Sequence, residues 1–149
     1  SNIKKKTNGA ILDQKARFWL KQIKLDYPHG TGHGVGFFLN VHEGPQSISR
    51  YNKTKLEQGM ILSNEPGYYK KNKFGIRIEN LIYLKKHNSK LIFDNLTFIP
   101  LDIDLINLKM LSKFEATYLK KYHQKIYNLF KTKLNIIEKK WILNLINHF

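Results

Sequence analysis

Three imidazoles fall within fourteen positions of this chain, in the run His29-Gly30-Thr31-Gly32-His33-Gly34-Val35-Gly36 and then in Asn40-Val41-His42-Glu43-Gly44-Pro45. Two carboxylates follow fourteen residues apart, Glu65 in Ser63-Asn64-Glu65-Pro66-Gly67 and Glu79 in Gly75-Ile76-Arg77-Ile78-Glu79-Asn80. Together they make a hard nitrogen and oxygen donor set suited to Mn²⁺, Co²⁺, Fe²⁺ or Zn²⁺. A pair of such ions about 3.5 to 4 Å apart generates the nucleophile for amide hydrolysis. Each Glu sits in apolar, strand-like surroundings, where a carboxylate is costly unless a cation or metal meets it. Glu79 therefore reads either as a ligand or as the partner of Arg77 or a nearby Lys in a structural ion pair. Histidines four apart on a helix would be a zincin pattern, but Gly30, Gly32 and the missing second-place Glu argue against it. In an extended strand, residues an even number apart face one side, so His29 and His33 would share a cleft. The alternative makes the glycines a tight bend and the histidines ordinary hydrogen-bonded polar residues.

Several elements must position these groups. Apolar residues at helical spacing from Gly9 through Leu20 predict a helix over about residues 9–24 with one buried face. Glycines between Tyr27 and Pro45 disfavour a regular helix and let backbone approach a ligand closely. Met60 to Ser63, Gly75 to Leu84 and Leu91 to Leu101 are rich in β-branched and aromatic residues and read as antiparallel strands. Beyond Pro100 the period turns helical, with Leu111, Tyr118, Leu119, Tyr122, Ile126, Leu129 and Phe130 on one face and Leu134, Ile137, Trp141, Leu145 and Ile146 on another. The fold class is α+β, antiparallel strands followed by a helical extension.

Composition bounds the rest. The 149 residues, 42 % hydrophobic and 13 % aromatic, suffice for a globular core. With no cysteine any metal must bind through His and carboxylates, in keeping with a reducing compartment. No apolar run reaches the roughly 18 residues of a membrane span, and Ser1-Asn2-Ile3-Lys4-Lys5-Lys6 lacks a signal-peptide core, so the chain reads as soluble, cytoplasmic and not membrane-bound. Ser1 in place of Met leaves the natural start open. The net charge of +15 would suit a nucleic-acid surface. The cations, however, are nearly all Lys, with Arg only at 17, 50 and 77, which weighs against nucleic acid as a partner.

The stretches HGTGHGVGFFLNVHEGP from His29 and SNEPGYYKKNKFGIRIEN from Ser63 resemble the pita-bread metallopeptidases, and within them the cytosolic-type Xaa-Pro aminopeptidases. The nine-residue step from His33 to His42 is more similar to aminopeptidase P than to methionine aminopeptidase, prolidase or creatinase. Leu96-Thr97-Phe98-Ile99-Pro100-Leu101-Asp102, Leu111-Ser112-Lys113-Phe114-Glu115 and Tyr122-His123 resemble the C-terminal extension of that subgroup. The resemblance covers residues 9 to 149. It implies the C-terminal half of a pita-bread catalytic domain over residues 1–101 and the helical extension over 102–149. It also implies a metalloaminopeptidase that removes the N-terminal residue from peptides with proline second.

For the site, the resemblance implies two divalent ions, Mn first and Zn or Co as alternatives. His33 and Glu65 would each bind one metal and Glu79 would bridge both, with Glu65 also the general base. His29 and His42 would be catalytic histidines that contact substrate and assist proton transfer. Tyr69 and Arg77 would help hold the ligand carboxylates. His87, His123 and His148 fall outside the motifs and are expected to have no role in chemistry. The family needs two further Asp ligands upstream, and here only Asp13 and Asp26 precede the motif, matching a helix and a loop position. The expectation is a fragment inactive alone, either a truncated gene product or one part of a split enzyme whose missing half a separate upstream chain supplies. The alternatives are a non-catalytic remnant used for binding, with nucleic acid through its basic surface, or an oligomerisation unit. In the latter, Trp141, Leu145 and Phe149 would form a homodimer core.

Overall fold

The computed structural model describes residues 2–3, 7–38 and 40–149. Ser1 and residues 4–6, where the leader reading rests, and Leu39 of the first motif lie outside them. The chain divides into two units, Ser1–Thr97 and Phe98–Phe149.

In the first unit, strand β1 (Asn2–Ile3) precedes helix α1 (Gly9–Gln22), whose N-cap Asn8 accepts from the Ile11 amide. Short strands β2 (Gly32–His33) and β3 (Ser47–Ile48) pair antiparallel. Then come β4 (Ile61–Asn64), β5 (Gly67–Lys70), β6 (Phe74–Arg77), β7 (Asn80–His87) and β8 (Lys90–Asn95). The main antiparallel sheet runs β1-β8-β7-β4, and β5 and β6 form a separate hairpin. Leu56, Leu62 and Leu84 are about fully buried, and with Ile48 and Ile82 they make the core under this sheet. Leu12, Met60 and Phe93 close it.

Four sequence expectations change. The strand expected over 75–84 is two, β6 and β7, separated by Ile78 and Glu79, and the strand expected over 91–101 ends at Asn95. The extended stretch is confined to Gly32–His33, with His29 in a bend, so alternation along one strand does not relate the two histidines. Helix α1 buries not an apolar face but the line Gly9, Asp13 and Arg17. Phe18, Trp19 and Ile23 remain exposed. Ion pairing outweighs hydropathy at that face, as described below.

In the second unit, helices α2 (Lys113–Phe130) and α3 (Ile136–Asn147) each start on a capping box, Ser112 with Glu115 and Asn135 with Glu138. Tyr122, Ile126, Ile142 and Ile146 form its core, with Phe98, Leu101, Tyr127, Phe130 and Leu134 against them. Tyr118, Leu129, Ile137 and Trp141, assigned to apolar faces by periodicity, are exposed, because the inward stripes lie a residue or so around each helix. His123 is fully buried in their place. Its Nδ1–H donates to the Leu119 carbonyl at 2.8 Å, its Nε2 accepts from the Leu101 amide at 3.2 Å, and its ring stacks on Phe149. Replacing His123 with Phe leaves the part-buried Leu101 amide without its acceptor. The expected loss is about 1 to 3 kcal/mol in this unit, read by urea unfolding on Trp141 fluorescence. An unchanged midpoint would contradict it.

Candidate metal centre

The site is assembled by two backbone registers. The stretch around β2 lies along the edge of β4: the Glu65 amide donates to the Thr31 carbonyl at 2.8 Å, the Val35 amide to the Ile61 carbonyl at 3.2 Å, and Gly34 bridges Leu62. This approach depends on Gly32, where a Cβ would stand 1.9 Å from the Ser63 carbonyl oxygen. Gly32→Ala must push the two strands apart. It should cost about 1 to 3 kcal/mol, as overpacking generally does, and lower the melting temperature of the first unit; an unaltered melt would refute the close approach.

The second register pairs β4 with β7, ending at Asn64↔Asn80, and β5 with β6, starting at Gly67↔Arg77. Pro66 has no N–H to continue the ladder. Glu65 and Glu79 therefore face each other across the gap, although they lie fourteen positions apart.

His33, Glu65 and Glu79 each present a ligand atom, all within 4.8 Å of one another. His33 Nε2 lies 3.3 Å from Glu65 Oε1. Its other nitrogen, Nδ1, is 3.1 Å from the Gly34 carbonyl, which can only accept, so that contact occupies Nδ1 and leaves Nε2 as the ring atom facing the carboxylates. Such a bond from the far nitrogen to a carbonyl is the usual support of a metal-binding imidazole. Arg77 reaches both carboxylates, at 3.7 Å from Glu65 and 3.4 Å from Glu79, so the guanidinium supplies the positive charge this pair attracts. The side chains of His33, Glu65 and Glu79 are 24 %, 12 % and 38 % exposed: accessible to an ion, with only Glu65 strongly shielded. The apolar surroundings expected for Glu79 are not found. An imidazole and two carboxylates at this spacing fit a divalent cation, and the Arg77 ion pair raised by the sequence is present as well. His42 is brought alongside, its ring 4.1 Å from that of His33.

His29 belongs to a neighbouring group. Its Nδ1 donates to the Gly30 carbonyl and its Nε2 accepts from the Tyr69 hydroxyl, both at 2.7 Å. Tyr69, expected to support ligand carboxylates, thus meets His29 among the described residues, not Glu65 or Glu79. Its ring rests over Gly67 and Gly75, where a Cβ would come within 2.7 Å of it.

Beneath this loop lies a network that the sequence reading missed. Arg17, 2 % exposed, donates from Nε to Asp13 at 2.8 Å, from Nη1 to Asp26 at 2.5 Å and the Tyr27 carbonyl at 2.7 Å, and from Nη2 to the His29 carbonyl at 2.5 Å. Tyr27 bonds the Thr31 hydroxyl, which donates to Asp13 at 2.7 Å, and Arg50 takes the other Asp26 oxygen. Burial pushes the Asp13 carboxyl upward, but hydrogen bonds from Arg17 and Thr31 and the Arg17 charge outweigh it and hold Asp13 below the ordinary range. Asp26 is held down the same way against a burial effect, and burial raises Tyr27. Asp13 and Asp26 are thus committed to arginine. The signal was Asp13-x-x-x-Arg17, a helical ion-pair spacing.

A family model described as metallopeptidase family M24 matches residues 1–86, and one described as the C-terminal region of peptidase M24 matches residues 89–148. The chain belongs to the M24 metallopeptidase family. Within it, the similarity runs to Xaa-Pro aminopeptidases: 50 % identity over 130 residues with Xaa-Pro aminopeptidase 1 of Dictyostelium discoideum, covering 81 % of this chain and 21 % of that protein. Aminopeptidase P2 of Arabidopsis thaliana is 50 % identical over 131 residues, 81 % of this chain and 18 % of its own length. The chain thus spans about a fifth of these relatives. The crystal structure of a Caenorhabditis elegans X-prolyl aminopeptidase, described as a cytosolic enzyme with a di-nuclear active site, matches with TM-score 0.84 at 33 % identity, over 98 % of this chain and 25 % of that one. The prolidase of Pyrococcus furiosus matches 62 % of this chain and 26 % of its own at TM-score 0.53 and 34 % identity. The antiparallel strands and C-terminal helices are part of the pita-bread fold. No helix among the described residues is long and apolar enough to cross a membrane.

Proposed function

We propose that this chain supplies the C-terminal part of a dinuclear Xaa-Pro aminopeptidase centre, acting in the cytosol as its C. elegans relative is described to do. Residues 1–101 belong to the catalytic domain and 102–149 to the helical extension. The observation that carries this reading is the convergence of His33, Glu65 and Glu79 within 4.8 Å, in a chain half-identical to Xaa-Pro aminopeptidases over most of its length. Two divalent cations, Mn²⁺ first, supply water activation and carbonyl polarisation when bound. When the ions are bound, His33 and Glu65 would each hold one and Glu79 would be shared between them. Glu65 takes the proton of the attacking water. His42, beside His33, and His29, hydrogen-bonded to Tyr69, would bind the peptide and move protons, and Arg77 would help hold the ligand carboxylates. Two further carboxylates complete the set from outside these residues, so the 149 residues alone do not turn over peptide.

The test is hydrolysis of an Xaa-Pro peptide with Mn²⁺, by this chain alone and mixed with the upstream polypeptide from the same genome. Turnover only in the mixture is the expected result. Turnover in neither, with no metal bound at stoichiometric level, would reduce the chain to a decayed or non-catalytic remnant. Exposed Ile137 and Trp141 on α3 favour a second, compatible role, pairing with another copy of the chain. Trp141→Glu should then turn a dimer into a monomer on a sizing column, whereas a wild type already monomeric would end that reading.

A further inference from the structure

Ser63 is fully buried in β4, between Leu62 in the core and the gap that holds Glu65. A hydroxyl there is costly unless its hydrogen bonds are made, and both of them are. It accepts from the His33 amide at 2.9 Å and donates to Glu65 Oε1 at 2.7 Å. Along the edge of β4, the Glu65 and Val35 amides each form a backbone bond across to the neighbouring stretch. At His33, midway between them, the amide goes to the side chain of Ser63 instead. One oxygen atom therefore ties the backbone of His33 to the carboxylate of Glu65. Ser63 and Glu65 lie two apart on an extended segment, so both side chains leave the same face, and the link needs no other residue.

We infer that Ser63 is a positioning residue that sets the distance and orientation between His33 and Glu65 before any ion arrives. The clamp itself stands on these two hydrogen bonds; its consequence for metal rests on the function proposed above. Without the hydroxyl, the His33 amide is unpaired and Glu65 Oε1 is free to rotate toward Arg77.

The experiment compares wild type, Ser63→Ala and Ser63→Thr, the last keeping the hydroxyl. Amide hydrogen exchange is measured on the metal-free chain, and Co²⁺ affinity by titration. In Ser63→Ala, protection at the His33 amide should fall about tenfold, the loss of one ordinary hydrogen bond, while the Val35 and Glu65 amides keep theirs. Co²⁺ affinity should fall about 10- to 100-fold, as is usual when a ligand loses its hydrogen-bonded support. Ser63→Thr should restore both. Unchanged protection at His33, a uniform loss across β2 and β4, or unchanged Co²⁺ affinity in a folded Ser63→Ala would each overturn the inference. Selective loss at His33 in a chain whose wild type takes up no Co²⁺ would uphold the clamp and overturn the metal reading instead.

Discussion

Replacing Arg17 with Met is expected to destabilise the first unit by about 3 to 5 kcal/mol, the usual cost of removing one partner from a buried ion pair. Met matches the stem but supplies none of the donors, so Asp13, 1 % exposed, keeps a charge with only Thr31 to meet it. The carbonyls of Tyr27 and His29 lose their partner too. The effect should depend on pH with a definite sign. In the wild type Asp13 and Asp26 are held below the ordinary carboxyl range, so they contribute stability above about pH 4 that is lost as pH falls through their folded values. In Arg17→Met, burial without a cation raises Asp13, and protonation relieves it as pH falls. The gap between the two proteins should therefore be widest at neutral pH and narrow toward pH 4. Urea unfolding followed on Trp19 fluorescence, in a Trp141→Phe background, reads it directly. A gap below about 1 kcal/mol at pH 7, or one that does not narrow, would mean the network does not hold the His29 loop.

Glu79→Ala should behave in the opposite way, leaving the fold almost untouched while abolishing function. Its side chain is 38 % exposed and its partner Arg77 49 % exposed, and an ion pair this open contributes at most about 1 kcal/mol. On the proposed reading, Glu79 would be the carboxylate shared by two ions, a role no neighbouring residue could take over. The loss of several kcal/mol of transition-state stabilisation corresponds to a fall of about 10³-fold or more in turnover. Activity and melting temperature measured on the same mixture separate the two effects. Unchanged turnover would sink the assignment of Glu79, and a collapse in melting temperature would return it to the structural ion pair that the sequence also allowed.

Which residues stand at the site was legible in the sequence wherever type and spacing are local. The glycine and histidine alternation and the Glu-Pro-Gly and Arg-x-Glu triplets are each contained within a few positions, and their resemblance to Xaa-Pro aminopeptidases pointed to the family. Helix α1 was found from its periodicity, yet its buried side was misread, because hydropathy ranks Asp13 and Arg17 as surface residues and does not register that each satisfies the other. Strands β6 and β7 merged in the sequence reading because Ile78 fits a strand as well as its neighbours do. Only opposition to Pro66 breaks the ladder there.

The sequence by itself determined the donor types, their order and the absence of any thiolate alternative, all of which follow from residue identity. Tertiary structure decided that Glu65 and Glu79 share one gap, that His33 turns Nε2 toward them, that Tyr69 falls to His29, and that Ser63 joins two candidate ligands through one oxygen. These depend on strand register and on which hydrogen-bond partners remain once backbone pairing is complete. Both are properties of chain segments meeting across long sequence separations, which no local pattern encodes.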